Sequence, residues 1–169
     1  MAKTYEPIAT TTLGSAAASY TFSSISGSYT DLVLVNNAIT ATANDNLVIQ
    51  FNGDTGANYS ATVLSGTGSV ANSNRQTSGN FSYITYYGYQ STTTPSSNIL
   101  SIQNYSNTTT YKTFLSRAGQ TSTTITPGTD AIVGLWRSTT AITSITLKLA
   151  GGTNIASGSI FTLYGVKSA

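Results

Sequence analysis

Five carboxylates are all the acid this chain carries: Glu6, Asp31, Asp45, Asp54 and Asp130. Histidine and cysteine are absent. Histidine-dependent triads, thiol nucleophiles and ordinary zinc sites are therefore excluded. A glycoside hydrolase needs two carboxylates facing each other across a cleft, and no spacing here suggests such a pair. Asp45 and Asp54 flank an apolar run and sit beside asparagine and glycine, as turn formers do. No run of acidic ligands forms a calcium loop. Gly66-x-Gly68 with Ala71 loosely matches a dinucleotide fingerprint, but no βαβ unit surrounds it. The residues read as those of a protein that is not an enzyme and holds no cofactor and no metal.

What remains for recognition is tyrosine, of which there are 11. Residues 80–89 are the most aromatic stretch. Alternation there places Phe81, Tyr83, Tyr87 and Tyr89 on one face and Ile84 and Tyr86 on the other. Tyr83, Tyr86, Tyr87 and Tyr89 are the candidate surface for a protein partner or a sugar, since tyrosine offers a flat apolar ring with a polar tip. The competing reading is that sheets carry tyrosine anyway and half of these must face the core. Trp136, the only tryptophan, reads as core. Arg117 and Arg137, expected at strand ends, read as solvated or paired. The seven basic residues (Lys3, Arg75, Lys112, Arg117, Arg137, Lys148 and Lys167) are scattered. They form no footprint for nucleic acid.

The elements that would position these residues are strands. Thr, Ser, Gly, Asn and Val dominate, and all are poor helix formers. Short apolar runs recur between clusters of Gly, Asn, Asp and Ser, the pattern of a sandwich or barrel. The chain begins extended at 5–13, and strands are expected at 19–25, 31–35, 46–51, 80–89, 97–103, 111–117, 131–138, 145–149 and 158–166, about nine in all. Pro7 suits an edge. Asn52-Gly53 is a turn signal. Residues 58–64 could hold one helical turn, 65–79 read as a long loop, and 119–130 as another. The run 158–166 carries bulk on both parities, so both its faces are expected to be covered.

The size fits one domain, 1–169, with a short extended N-terminal arm at about 1–12. The favoured fold is all-β, an antiparallel two-sheet sandwich of jelly-roll type. An immunoglobulin-like sandwich fits less well, because the chain is long for it and lacks the Cys–Trp–Cys pattern. Only 7% of residues are charged, against about 25% in ordinary globular proteins. Ser and Thr together number 55, so hydroxyls cover the surface. A skin so poor in charge is weakly protected against association and suits a chain built into an assembly. No apolar run is long enough for a membrane span, and the N-terminus lacks the apolar run of a signal peptide. The four Asn-x-Ser/Thr sequons, starting at Asn58, Asn80, Asn104 and Asn107, are expected to be unmodified.

Several stretches resemble small structural proteins of tailed bacteriophages. They are residues 5–13, 20–25 and 29–35 at the start, then 51–54 with 58–60. The ending, 142–147 followed by 158–165, is the most telling. The likeness runs over most of the chain, is weakest across 62–130, and includes no catalytic motif. The resemblance implies a jelly-roll virion component. One form of it is a capsid decoration (cement) protein, a homotrimer bound to the major capsid protein and stabilising the shell. The other is a tail or head fibre module that binds host surface glycans. The absence of a collagen-like, coiled-coil or β-helical shaft favours decoration. The expected location is the virion, after synthesis in the host cytoplasm.

Overall fold

The structure is a computed structural model that describes residues 4–122 and 126–167. Among them are twelve strands and no helix. In chain order these are β1 (Tyr5–Thr12), β2 (Ser19–Phe22), β3 (Asp31–Ala38), β4 (Leu47–Phe51), β5 (Tyr59–Gly66) and β6 (Ala71–Gly79). The second half adds β7 (Ser82–Tyr83), β8 (Ser96–Ile102), β9 (Lys112–Gln120), β10 (Gly128–Trp136), β11 (Ile145–Leu149) and β12 (Ile160–Val166). They form two antiparallel sheets. The larger runs β1-β12-β3-β8-β9-β10-β5-β6, and the smaller β2-β11-β4-β7. The protein is thus all-β and built as a sandwich of two sheets.

The core lies where the sheets face each other. Leu32, Leu34, Leu100, Ile102, Phe161 and Leu163 come from the large sheet. Leu47, Ile49, Phe51, Ile145, Leu147 and Leu149 come from the small one, and all twelve belong to one buried cluster. Phe51 sits at its aromatic centre, within 5.5–6.3 Å of the rings of Tyr59, Phe114 and Trp136. The rest of the large sheet's inner face, on β9, β10 and β5, is covered by the segment between β7 and β8. There the contacts are mostly polar, with only Ala61, Val63 and Ile132 forming a second small apolar cluster.

Several expectations are corrected by this topology. The segment 58–64 holds no helical turn: it is β5, paired with β10 over eight residues from Tyr59↔Trp136 to Gly66↔Thr129. Ladder pairing on both sides overrides its weak local preference. The loop expected at 65–79 is largely β6, the edge strand beyond β5. An edge strand with little to bury needs no apolar alternation, which is why its Asn- and Ser-rich sequence hid it. The expected strand at 80–89 shrinks to Ser82–Tyr83, because side chains of Asp130, Asn98 and Ser116 hold the following backbone in place of a partner strand. The loop expected at 119–130 becomes the turn of the β9–β10 hairpin, with Gln120 across from Gly128; its residues 123–125 lie outside the described residues.

The closing strand β12 takes an internal slot between β1 and β3. Its Phe161 and Leu163 are buried, but Ile160 is 42% exposed, so its outer face is not covered as expected. Of the arm expected at about 1–12, residues 5–12 form β1 along β12, and residues 1–3 lie outside the described residues. Asn52-Gly53 makes the turn its sequence announced. Both residues have positive φ, and Asp54 N–H returns to Phe51 O at 2.9 Å. The turn carries the chain from the small sheet to the large one rather than closing a hairpin.

Candidate functional site

The tyrosines named by the sequence gather partly, and not by strand alternation. Tyr83 and Tyr86, expected on opposite faces, touch edge to face at 5.4 Å between ring centres. Phe81 and Tyr87 extend the row on either side, at 5.5 Å from Tyr83 and Tyr86. Tyr89 is half-buried and stands outside these ring contacts. The alternation fails because the chain leaves the strand after Tyr83. None of the four rings is fully buried. Burial, with Tyr86 and Asp45 nearby, pushes the Tyr83 hydroxyl above its ordinary range.

What sets the row is one buried carboxylate. Asp130, on the inner face of β10, accepts the backbone N–H groups of Tyr86, Tyr87 and Gly88 at 2.6, 3.0 and 2.8 Å. It also accepts the Ser65 hydroxyl at 2.5 Å. Asn98 and Ser116 hold Ile84 O, and Ser96 holds Gly88 O. Ile84 and Thr85 N–H still reach Leu47 O of β4; beyond them these side chains replace a ladder, and so satisfy buried backbone groups. Tyr86 then leans over β6 and accepts Asn74 Nδ2 at 2.8 Å. The result is a hollow of about 240 Å³ lined by Val63, Asn74, Arg75, Gln76, Tyr83 and Tyr86. Gln76 Oε1 is buried there and, among the described residues, has no hydrogen-bond partner. Aromatic rings beside amide donors can take a sugar ring or a polar peptide.

A second surface was not anticipated. On the outer face of the large sheet, Leu64, Ile99, Leu115 and Val133 are each 47–61% exposed. The register puts Leu115 across from Val133, and Ile99 across from Arg117. Ala131 lies between Arg117 and Leu64. Together they wall a depression of about 470 Å³. Scattered exposed apolar residues are ordinary, but a contiguous group marks an interaction surface. Sequence did carry a signal. Val63-Leu64, Ile99-Leu100, Phe114-Leu115 and Ile132-Val133 are adjacent apolar pairs, so one member of each must face away from the core.

The charged groups have fixed structural tasks. Asp45 accepts Gly151 N–H and the Thr153 hydroxyl. Asp54 accepts Trp136 Nε1–H at 2.7 Å, Asn58 Nδ2 at 2.9 Å and Gly56 N–H at 2.8 Å. Burial pushes its carboxyl up, but these hydrogen bonds outweigh that and hold it below the usual carboxylate range. Trp136 is buried, as expected. Arg137 follows β10 and donates to Ala57 O at 2.7 Å and to Ser60 Oγ. Arg117 is not at a strand end: it lies in mid-β9 and, among the described residues, its guanidinium has no hydrogen-bond partner. Lys112 is buried, with Nζ donating to Thr110 O and Thr139 O, and burial lowers its affinity for the proton. Among the described residues no three carboxylates meet to hold a metal ion, and no helix is long and apolar enough to cross a membrane.

Comparison of the chain with models of protein families, with curated proteins and with solved structures gives no match.

Proposed function

We propose that the chain is a structural protein of a bacteriophage virion: a capsid decoration protein that binds the outer shell as a homotrimer and stabilises it. The single observation that carries this reading is the open apolar face of the large sheet on a molecule in which only 7% of residues are charged. Such a face gains by being covered, and buried apolar area is the chief means of cohesion a chain with so few charges has.

The strand order supports a jelly-roll reading of the sandwich. Strands β1, β12, β3 and β8 neighbour one another in the large sheet, and β2, β11, β4 and β7 in the small one. Each successive pair β1/β2, β3/β4, β7/β8 and β11/β12 is divided between the sheets, as in two nested Greek keys. On this reading the hairpins β5–β6 and β9–β10 are insertions that widen one sheet beyond β8. They carry most of the open apolar face. The proposed partners are two further copies of this chain and the major capsid protein, with no enzymatic step.

The test is placement in purified particles. A mass three times 17.6 kDa in solution and density for the chain at local three-fold positions of the shell are expected. Particles lacking it should release DNA at lower temperature. A few copies confined to the tail would overturn the reading.

The second reading is a tail or head fibre module that binds a host glycan, favoured by the Tyr83–Tyr86 hollow with the Asn74 and Gln76 amides on its wall. Glycan-array binding that Tyr86→Ala abolishes is its expected result. No binding to any glycan would remove it.

A further inference from the structure

We infer that the outer face of β9, β10 and β5 docks a segment of a different protein, one that brings a carboxylate to Arg117 among apolar side chains. The argument begins with what the face contains. Its outward residues are Thr113, Leu115 and Arg117 on β9, Thr129, Ala131, Val133 and Leu135 on β10, and Ser60, Thr62 and Leu64 on β5. Across the edge, Arg75 on β6 pairs with Thr62 and shares this side. No acidic residue stands among them. The face is aliphatic with two guanidiniums and nothing to balance them.

Arg117 sits in the middle of the apolar group, between Ile99 on one side and Ala131 on the other. In water its charge is solvated. Under a docked partner that water leaves, and an unpaired guanidinium would oppose binding. A partner that covers the face must therefore supply an anionic acceptor. A carboxylate matches the planar fork of arginine with two parallel hydrogen bonds.

A second copy of this chain is a poor source of that acceptor. Each of its five carboxylates already accepts hydrogen bonds at home. Glu6 pairs with Lys167 at 3.0 Å, and Asp31 accepts Asn104 N–H at 2.7 Å. Asp45 holds Gly151, Asp54 holds Trp136, and Asp130 holds residues 86–88. A two-fold contact through this face would also set one Arg117 guanidinium near the other, since such contacts are self-complementary. The face thus discriminates against self and selects an acidic, otherwise apolar segment. This inference does not rest on the virion reading: it concerns the chemistry of the partner, wherever the protein resides.

The experiment is a methyl NMR titration of the whole chain with three probes. They are a capped pentapeptide Ser-Val-Asp-Val-Ser, its Asn-for-Asp twin, and inorganic phosphate. The Asp peptide is expected to shift the methyls of Leu64, Ile99, Leu115 and Val133 and to bind about tenfold more tightly than the Asn twin. That margin should vanish in Arg117→Gln, whose core methyl signals stay in place. Equal binding of the two peptides, equal shifts with phosphate, or no shift at millimolar peptide would each overturn the inference. So would a Leu115→Glu variant whose sedimentation shows loss of the wild-type oligomer, because the face would then be an interface between copies. Failure here leaves the particle test untouched, and absence from particles leaves this titration untouched.

Discussion

Asp130 accepts the backbone N–H of Tyr86 at 2.6 Å, across 44 residues of sequence, and this contact turns an aromatic stretch into a surface. Without it Tyr86 and Tyr87 would lose the anchor that sets them beside Tyr83, since the N–H groups of residues 86–88 are held by this carboxylate rather than by a partner strand. Asp130→Ala leaves three N–H groups and the Ser65 hydroxyl without their acceptor at a buried position. At about 1 kcal/mol or more each, the loss is roughly 3–4 kcal/mol. Hydrogen exchange should rise first at Tyr86, Tyr87 and Gly88, ahead of the core strands. Exchange at those amides no faster than in the wild type would refute the anchoring role.

Tyr59 makes the protein sensitive to alkali. Its hydroxyl accepts Phe51 N–H at 2.9 Å and donates to Asp54 O at 3.2 Å, tying β5 to β4 across the two sheets. Burial, offset in part by the Phe51 hydrogen bond, pushes its pKa up to about 12. The unfolded chain loses this proton near 10, whereas the folded one keeps it. Stability from this group is complete below pH 10 and is lost as pH rises from 10 to about 12. Unfolding followed by circular dichroism should fall in that window. Tyrosinate absorbance should show a late fraction that appears only with unfolding. Tyr59→Phe should shift the alkaline midpoint upward while costing stability at neutral pH.

Asp54 works at the other end of the scale. Its folded-state carboxyl lies below the usual range, so its contribution is present above about pH 4 and is lost as pH falls through the lowered value. Asp54→Asn should flatten the acid limb of the stability curve. Trp136 fluorescence, reporting the broken Nε1–Asp54 contact, should change with it. An acid limb identical to the wild type would mean that another group governs it.

Two glycines are fixed by aromatic rings. A Cβ at Gly134 would collide with the Phe114 ring, and one at Gly165 with the Tyr29 ring. Neither glycine needs an unusual φ; the requirement is space. Gly134→Ala and Gly165→Ala are expected to cost about 1–3 kcal/mol each through overpacking. In the double variant Gly134→Ala with Phe114→Leu, part of that cost should return. Thermal melts of the four proteins provide the check.

Phe114 and Leu115 are neighbours with opposite fates. Phe114 is fully buried and Leu115 is 50% exposed. Phe114→Ala should cost about 3–5 kcal/mol, and Leu115→Ala under about 0.5 kcal/mol in the free chain. Equal losses, read from denaturant midpoints, would contradict the assignment of faces.

Much of the framework was legible residue by residue. The alternation in 145–149 and the apolar runs at 31–35 and 46–51 marked β11, β3 and β4, because side chains one position apart point to opposite faces. Asn52-Gly53 marked its turn, because both residues accept positive φ. The edge strand β6 was hidden for the converse reason: a strand that buries little has no pattern to show. The tyrosine row was half visible. Its composition stood in the sequence, but the grouping of Tyr83 with Tyr86 depends on Asp130, which arrives from a distant strand.

Composition by itself determined the class of the molecule: an all-β chain with a hydroxyl-rich, nearly uncharged skin and no histidine or thiol chemistry. The sequence also showed, in pairs such as Phe114-Leu115 and Ile132-Val133, that some strands are apolar on both sides. Only the tertiary structure decided which side is covered. Alternation records that two faces differ or agree, whereas what lies over a face depends on strand order and on segments far away in the chain. The small sheet and residues 84–88 cover the inner face; nothing in the described chain covers the outer one.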